Sequence, residues 1–193
     1  MLSKLFKNTW IKKTRAAIYK RCINKNPKSN QVWDFLNTII MKELNDLLQQ
    51  IENAIPHWEK LNTNISQATV GWQLDHSLLV INGVIEQMKI SKPENYQWKF
   101  KWIRLVIQTT NKIPRGKVRA PKTVKPLDVA NAEDLKAKLE QARKGIAELE
   151  NLPPNSYFAH PFFGDLNLKT TIWFLKLHTN HHLKIVNDII NKG

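Results

Sequence analysis

The chain reads as an all-α protein, a helical bundle with an extra N-terminal helix and one long basic loop. Three observations point there. Gly is scarce, at six of 193 residues. No stretch alternates apolar and polar residues in the manner of a half-buried strand. Long segments instead repeat apolar residues at three- and four-residue spacing, and clusters of Pro, Asn and Ser stop them.

The elements follow in order. Residues 2–21 form a basic, weakly amphipathic helix that "INKNPKSN" breaks. A long helix then runs from about Gln31 to Ile55, where Pro56 ends it. After "LNTNIS" a second core helix spans about Ala68 to Lys89. "SKPENY" precedes a shorter helix, about Trp98 to Thr110. "NKIPRGKVRAPKTVKPLDVAN" is a basic loop longer than most connections, which marks it as functional or mobile. Residues 132–150 are strong helix formers with opposite charges at helical spacing. "NLPPNSYFAHPFFGD" reads as a crossover, and Asn167 or Asp165 caps a last helix from about Leu168 to Asn191.

The formal charge is +14, and its distribution is uneven. Residues 1–28 hold nine Lys/Arg and no acid, and residues 95–127 hold another nine and no acid. The other twelve basic residues face all sixteen acids, so the rest of the chain is slightly acidic. Two such segments suit nucleic acid or an anionic membrane surface, and they suit plain solubility as well. Cys22 stands alone, which excludes an internal disulfide and a cysteine zinc site. No apolar run approaches the ~20 residues that span a bilayer. The N-terminal stretch has no apolar core or small-residue cleavage site, so no secretory signal is read. A cytoplasmic protein that is not transmembrane is expected.

Three of the six histidines fall in "FLKLHTNHHLKIV". At three- and four-residue spacing the last helix carries Leu168, Thr171, Leu175, His178, His182, Ile185 and Ile189 on one seam. His178 and His182 therefore stand one above the other, and His181 lies on the flank. This i, i+4 pair is the geometry by which helical histidines share an ion. A third ligand is expected from His76, on the seam Trp72, His76, Leu79 and Gly83, where Gly83 would admit a close helix. Asp75 points about a quarter-turn away and supports at most from behind the ligands. A lone histidine on an apolar face is usually a satisfied core residue, but three buried together without a cation leave several polar groups unpaired. His57 reads as a surface or capping residue, and His160 as a fixture of the crossover near the site. Trp72, Trp173, Phe162 and Phe163 read most simply as core, with pocket walls as the second reading. Tyr157, Asp75 and His160 are the local candidates for acid, base or nucleophile, by position alone.

"TVGWQLDHSLLVINGV" and "HPFFGDLNLKTTIWFLKLHTNHHLKI" together resemble the DinB/YfiT-like superfamily of metal-binding four-helix bundles. The first resembles that family's tryptophan-then-histidine helix. The second resembles a final-helix pattern H-P-x-F-G…W…H-x-x-H-H. The resemblance implies an up-down-down-up four-helix bundle over residues 30–193, with residues 1–29 as a basic extension. It implies a divalent ion, zinc or nickel, held by His76, His178 and His182. Family members include thiol-dependent transferases that use low-molecular-weight thiols, and many are homodimers. Many also carry H-H-x-x-Q, where this chain has Ile185. Two functions follow as expectations. One is a metal-dependent enzyme, a hydrolase or thiol S-transferase acting on a small molecule. The other is a metal-braced binding protein that contacts nucleic acid or an anionic surface through residues 1–28 and 95–127.

Overall fold

Helices make up most of the computed structural model, which describes residues 29–115, 126 and 131–192, with side chains from Met41 onward. The described helices are α1 (Ser29–Ala54), α2 (Val70–Ile90), α3 (Trp102–Thr110), α4 (Ala132–Leu149) and α5 (Leu168–Asn191). Short 3-10 turns at Ile55–His57 and Pro93–Asn95 follow α1 and α2. The chain divides into two compact units, Met1–Ile40 and Met41–Gly193. Of the first, the described residues are the leading turns of α1; everything below concerns the second. The expected helix over 2–21, the extension 1–29 apart from Ser29, and the middle of the basic loop lie outside the described residues.

Side-chain caps set the helix starts. The Thr69 side chain accepts from Trp72 N at 3.1 Å and so begins α2 at Val70, two residues later than periodicity alone indicates. Asn131 accepts from Asp134 N at 2.9 Å, and Glu133 and Asp134 place negative charge on the first turn of α4. Asn167, not Asp165, caps α5 by accepting from Thr170 N at 3.1 Å. Asp165 instead accepts from the backbone N–H of Gln97 at 3.2 Å. Helix α3 starts at Trp102, four residues later than expected. The reason is Arg104, which donates to Lys99 O at 3.1 Å and lies 5.5 Å above the Trp98 ring. Those contacts hold residues 98–101 extended against the first turn.

Helix α2 is central: 13 of its 21 residues are buried, so it has partners on more than one side. Leu74, Leu78, Ile81, Ile85 and Met88 are all but inaccessible, and α4 and α5 both pack on it. From α4 come Leu135, Leu139, Ala142, Ile146 and Leu149, a seam at spacings of three and four. Helix α1 supplies Leu44, Leu48 and Ile51 to the core. It is tied to α4 by Glu52–Arg143 at 2.7 Å and to α5 by the pair Glu43–Lys176. Gly83, expected to admit a neighbouring helix, does not: a Cβ there would meet nothing within 4 Å. The close approach is at Gly145 on α4, where a Cβ would lie 3.1 Å from Ile85 Cδ1.

The crossover over 151–167 is not wholly irregular. Tyr157–His160 (β1) pairs antiparallel with Gly164–Asn167 (β2), in the register His160 opposite Gly164. The sequence showed no alternation because each strand has four residues, too few to carry a pattern. The turn is closed by a side chain: His160 Nδ1 accepts from the backbone N–H groups of Phe162 and Phe163, both at 3.1 Å. Gly164 takes φ 72°, a left-handed conformation that favours glycine.

Gly145 and Gly83 make opposite predictions. Gly145→Val forces bulk against buried Ile85 and should cost about 1–3 kcal/mol. Gly83→Ala fills open space in a helix interior and should add about 0.5–1 kcal/mol. Urea unfolding of the two variants beside the parent protein checks both signs.

Candidate metal centre

His76 from α2 and His178 and His182 from α5 converge. Each can offer a ring nitrogen such that all three lie within 4.8 Å of one another. The ring centroids of His76 and His182 are 4.7 Å apart, those of His76 and His178 5.1 Å, and those of His178 and His182 4.6 Å. The trio chosen by helical spacing is therefore the trio that the packing of α2 on α5 brings together.

Burial decides the charge state of the two α5 rings. Desolvation holds His178 well below the usual histidine range, and the nearby His182 and His76 rings push in the same direction. Burial likewise pushes His182 down to about 2, with His76 and His181 adding to it. Both rings are neutral at pH 7, the form in which imidazole ligates metal. His178 Nδ1 is buried and has no hydrogen-bond partner. Natural structures rarely leave such an atom orphaned, so it asks for a partner.

The orientation of His182 is fixed from behind. Its Nδ1 lies 2.6 Å from Gln73 Oε1, and an amide oxygen can only accept, so Nδ1 carries the proton. Nε2 is left free to ligate, the tautomer arrangement that outer hydrogen bonds impose in metal sites. Gln73 is buried and held in turn, its Nε2 donating to Ser66 Oγ at 3.1 Å. The sequence reading missed Gln73. The available signal was its place three residues before His76, on the neighbouring ridge of the same helix.

Trp72, read as core, is half-buried and stacks on His76 at 5.2 Å and 19°, forming a wall of the cluster. Trp173 is half-buried too, and Phe163 is buried, but Phe162 is 53% exposed and is not core. Asp75 turns away to Lys138 on α4, at 2.5 Å, so its carboxylate serves packing. Tyr157 stays with the hairpin, its backbone N–H donating to Ser91 Oγ. His160 is nearer: its ring lies 4.7 Å from Phe174, which lies 5.5 Å from His178. Burial pushes His160 down to about 4, consistent with a neutral ring accepting two N–H groups. His57 sits half-buried in the turn after α1, apart from this group. Ile185 is buried, so the seam carries no polar side chain there. His181 stands edge-on to His182 at 5.1 Å. It also lines a cavity of about 210 Å³ with Lys112, Arg115 and Lys184.

The depressed histidines give the ion-free protein a defined acid sensitivity. His178, His182 and His160 are neutral when folded, whereas each titrates near 6.5 when unfolded. The unfolded state thus binds more protons below that pH. The stability these groups contribute is present above about pH 6.5 and is lost as pH falls. In chelator, the unfolding free energy should drop between pH 7 and 4.5, by at most about 1.4 kcal/mol per histidine per pH unit, and the denaturation midpoint should fall with it. A midpoint flat across that range contradicts the burial of these rings.

Comparison with protein-family models, with curated proteins and with solved structures finds no match for this chain.

Proposed function

We propose that this chain is a metal-dependent protein of the DinB-like type, a four-helix bundle of α1, α2, α4 and α5 whose single divalent ion is held by His76, His178 and His182. The observation that carries the reading is the convergence of three imidazoles from two helices, with the buried Nδ1 of His178 unpartnered. A structural role for the rings alone leaves that nitrogen unexplained. Gln73 behind His182 supports the reading, because it sets the tautomer a ligand needs.

The activity that fits is hydrolysis or thiol-dependent transfer. A divalent ion with three imidazole ligands supplies Lewis acidity toward a water, a thiol or a substrate carbonyl at its remaining coordination position. The protein's own groups do the rest. Trp72 covers His76 with an apolar plane and keeps water off that ring. Phe174 does the same beside His178. Lys112, Arg115 and Lys184 put positive charge around the cavity next to His181, which selects anionic substrates, although Arg115 is partly neutralised by Asp188 at 2.9 Å. Zinc and nickel both accept three imidazoles. With Ile185 where the family pattern has glutamine, an amide beside the ligands is supplied instead by Gln73.

Metal analysis by mass spectrometry on untagged protein tests the site. The parent should carry near one equivalent, and His178→Ala/His182→Ala almost none. Gln73→Ala should keep the fold but weaken metal affinity about 10–100-fold. Equal sub-stoichiometric metal in all three proteins would mean the histidines only pack. Thiol and electrophile screens then compare the metal-loaded and chelated forms, and activity that survives metal removal contradicts the catalytic reading.

A further inference from the structure

The segment 98–110 turns the usual amphipathic rule inside out. In α3 only Arg104 and Ile107 are buried. The opposite face carries Trp102, Ile103, Leu105 and Val106, all exposed, with Trp102 at 68%. At 100° per residue these four lie on one side of the helix. Thr109 and Thr110 share that side, yet both hydroxyls donate to Val106 O, at 2.9 and 2.8 Å. Neither threonine therefore needs water for its hydroxyl. Trp98, 64% exposed, and Phe100 extend the apolar surface ahead of the helix. Arg104 holds this part in place by stacking over Trp98. A surface of six large apolar side chains is more than scattered exposure, and it marks a contact site.

We infer that this face docks on an anionic lipid surface, with the α3 aliphatic side chains entering the headgroup boundary and the aromatic residues at its edge. Charge and side-chain type select this occupant. Lys99 and Lys101 are exposed between the aromatic residues, and residues 95–127 contain nine cations and no acid. A second copy would bring the same cations against each other, which opposes self-association through this face. A nucleic acid strand would complement the charge and stack on Trp98 and Trp102. It offers no hydrocarbon to Ile103, Leu105 and Val106, which make up the centre of the face. Aromatic and aliphatic groups beside lysines, on a helix lying in the interface plane, match a monotopic membrane contact. No described helix is long and apolar enough to cross a membrane, so the contact is peripheral. The inference does not depend on the metal reading.

The test is sedimentation of the full chain with vesicles of phosphatidylcholine alone, and with vesicles of equal parts phosphatidylcholine and phosphatidylserine. The protein should bind the anionic vesicles, and less so as salt rises. Trp102→Ser/Val106→Ser should weaken partitioning about tenfold or more, with helix content by circular dichroism unchanged. Lys99→Gln/Lys101→Gln should lower binding to anionic vesicles while leaving any binding to phosphatidylcholine unchanged. The unsubstituted protein provides a second readout: lipids brominated high in the acyl chain should quench its tryptophan emission. Vesicle binding that the serine variant leaves unchanged would place the contact in the basic residues 1–28 and overturn the inference. So would absence of quenching, a dimer that the serine variant dissociates, or an oligonucleotide complex with no vesicle binding.

Discussion

Three imidazoles share one space between α2 and α5, and that arrangement constrains much of the molecule. Neither His178 nor His182 can take a proton there cheaply, because burial and the neighbouring rings both oppose it. None can drift either, since Trp72, Phe174 and Gln73 each press on or bond to one of them. The line Trp72, His76 and Leu79 is not the deepest face of α2. That face is Leu74, Leu78, Ile81 and Ile85, which is far more enclosed. The histidines thus occupy the edge of the core, where side chains are positioned by packing yet remain near the surface. A site that must be both precise and reachable is well placed at such an edge.

Rigidity on the histidine side of α2 is inherited from the other side. Gly145 lets α4 close on Ile85, and buried Asp75, paired with half-buried Lys138, ties the same two helices at the residue before His76. Asp75 is next to His76 in sequence but faces the opposite partner, and this division of roles fixes how α2 is rotated. Ser66 and Gln73 then continue the chain of support from the loop before α2 into the cluster.

Much of this was legible in the sequence, and what was not has physical reasons. Periodicity placed α5 from Leu168 to Asn191 and chose His76, His178 and His182, because ring positions on a helix follow directly from spacing. The start of α3 was missed because Arg104 stacks back on Trp98, a tertiary contact that no propensity encodes. Gly83 was misread because a glycine in an apolar seam signals close approach only if a partner is there, and the partner meets Gly145 instead. The hairpin was hidden by its brevity. Gln73 was hidden because a buried amide has no pattern of its own; its role exists only once α5 brings His182 against it.

His160 shows how the hairpin bears on the same constraint. Its ring accepts two backbone N–H groups at the turn, so it must stay neutral for the turn to hold. The same ring stacks on Phe163 at 4.2 Å and meets Phe174 edge-on. Phe174 in turn packs beside His178. A hairpin of only eight strand residues is marginal by itself. Here it is held by a side chain that also abuts the wall of the histidine cluster, and Ser91 at the end of α2 accepts from its first strand. The crossover between α4 and α5 is therefore part of the site's support. Protonating His160 removes the acceptor for both N–H groups and places a charge against Phe174, so acid should disturb the hairpin and the wall beside His178 together.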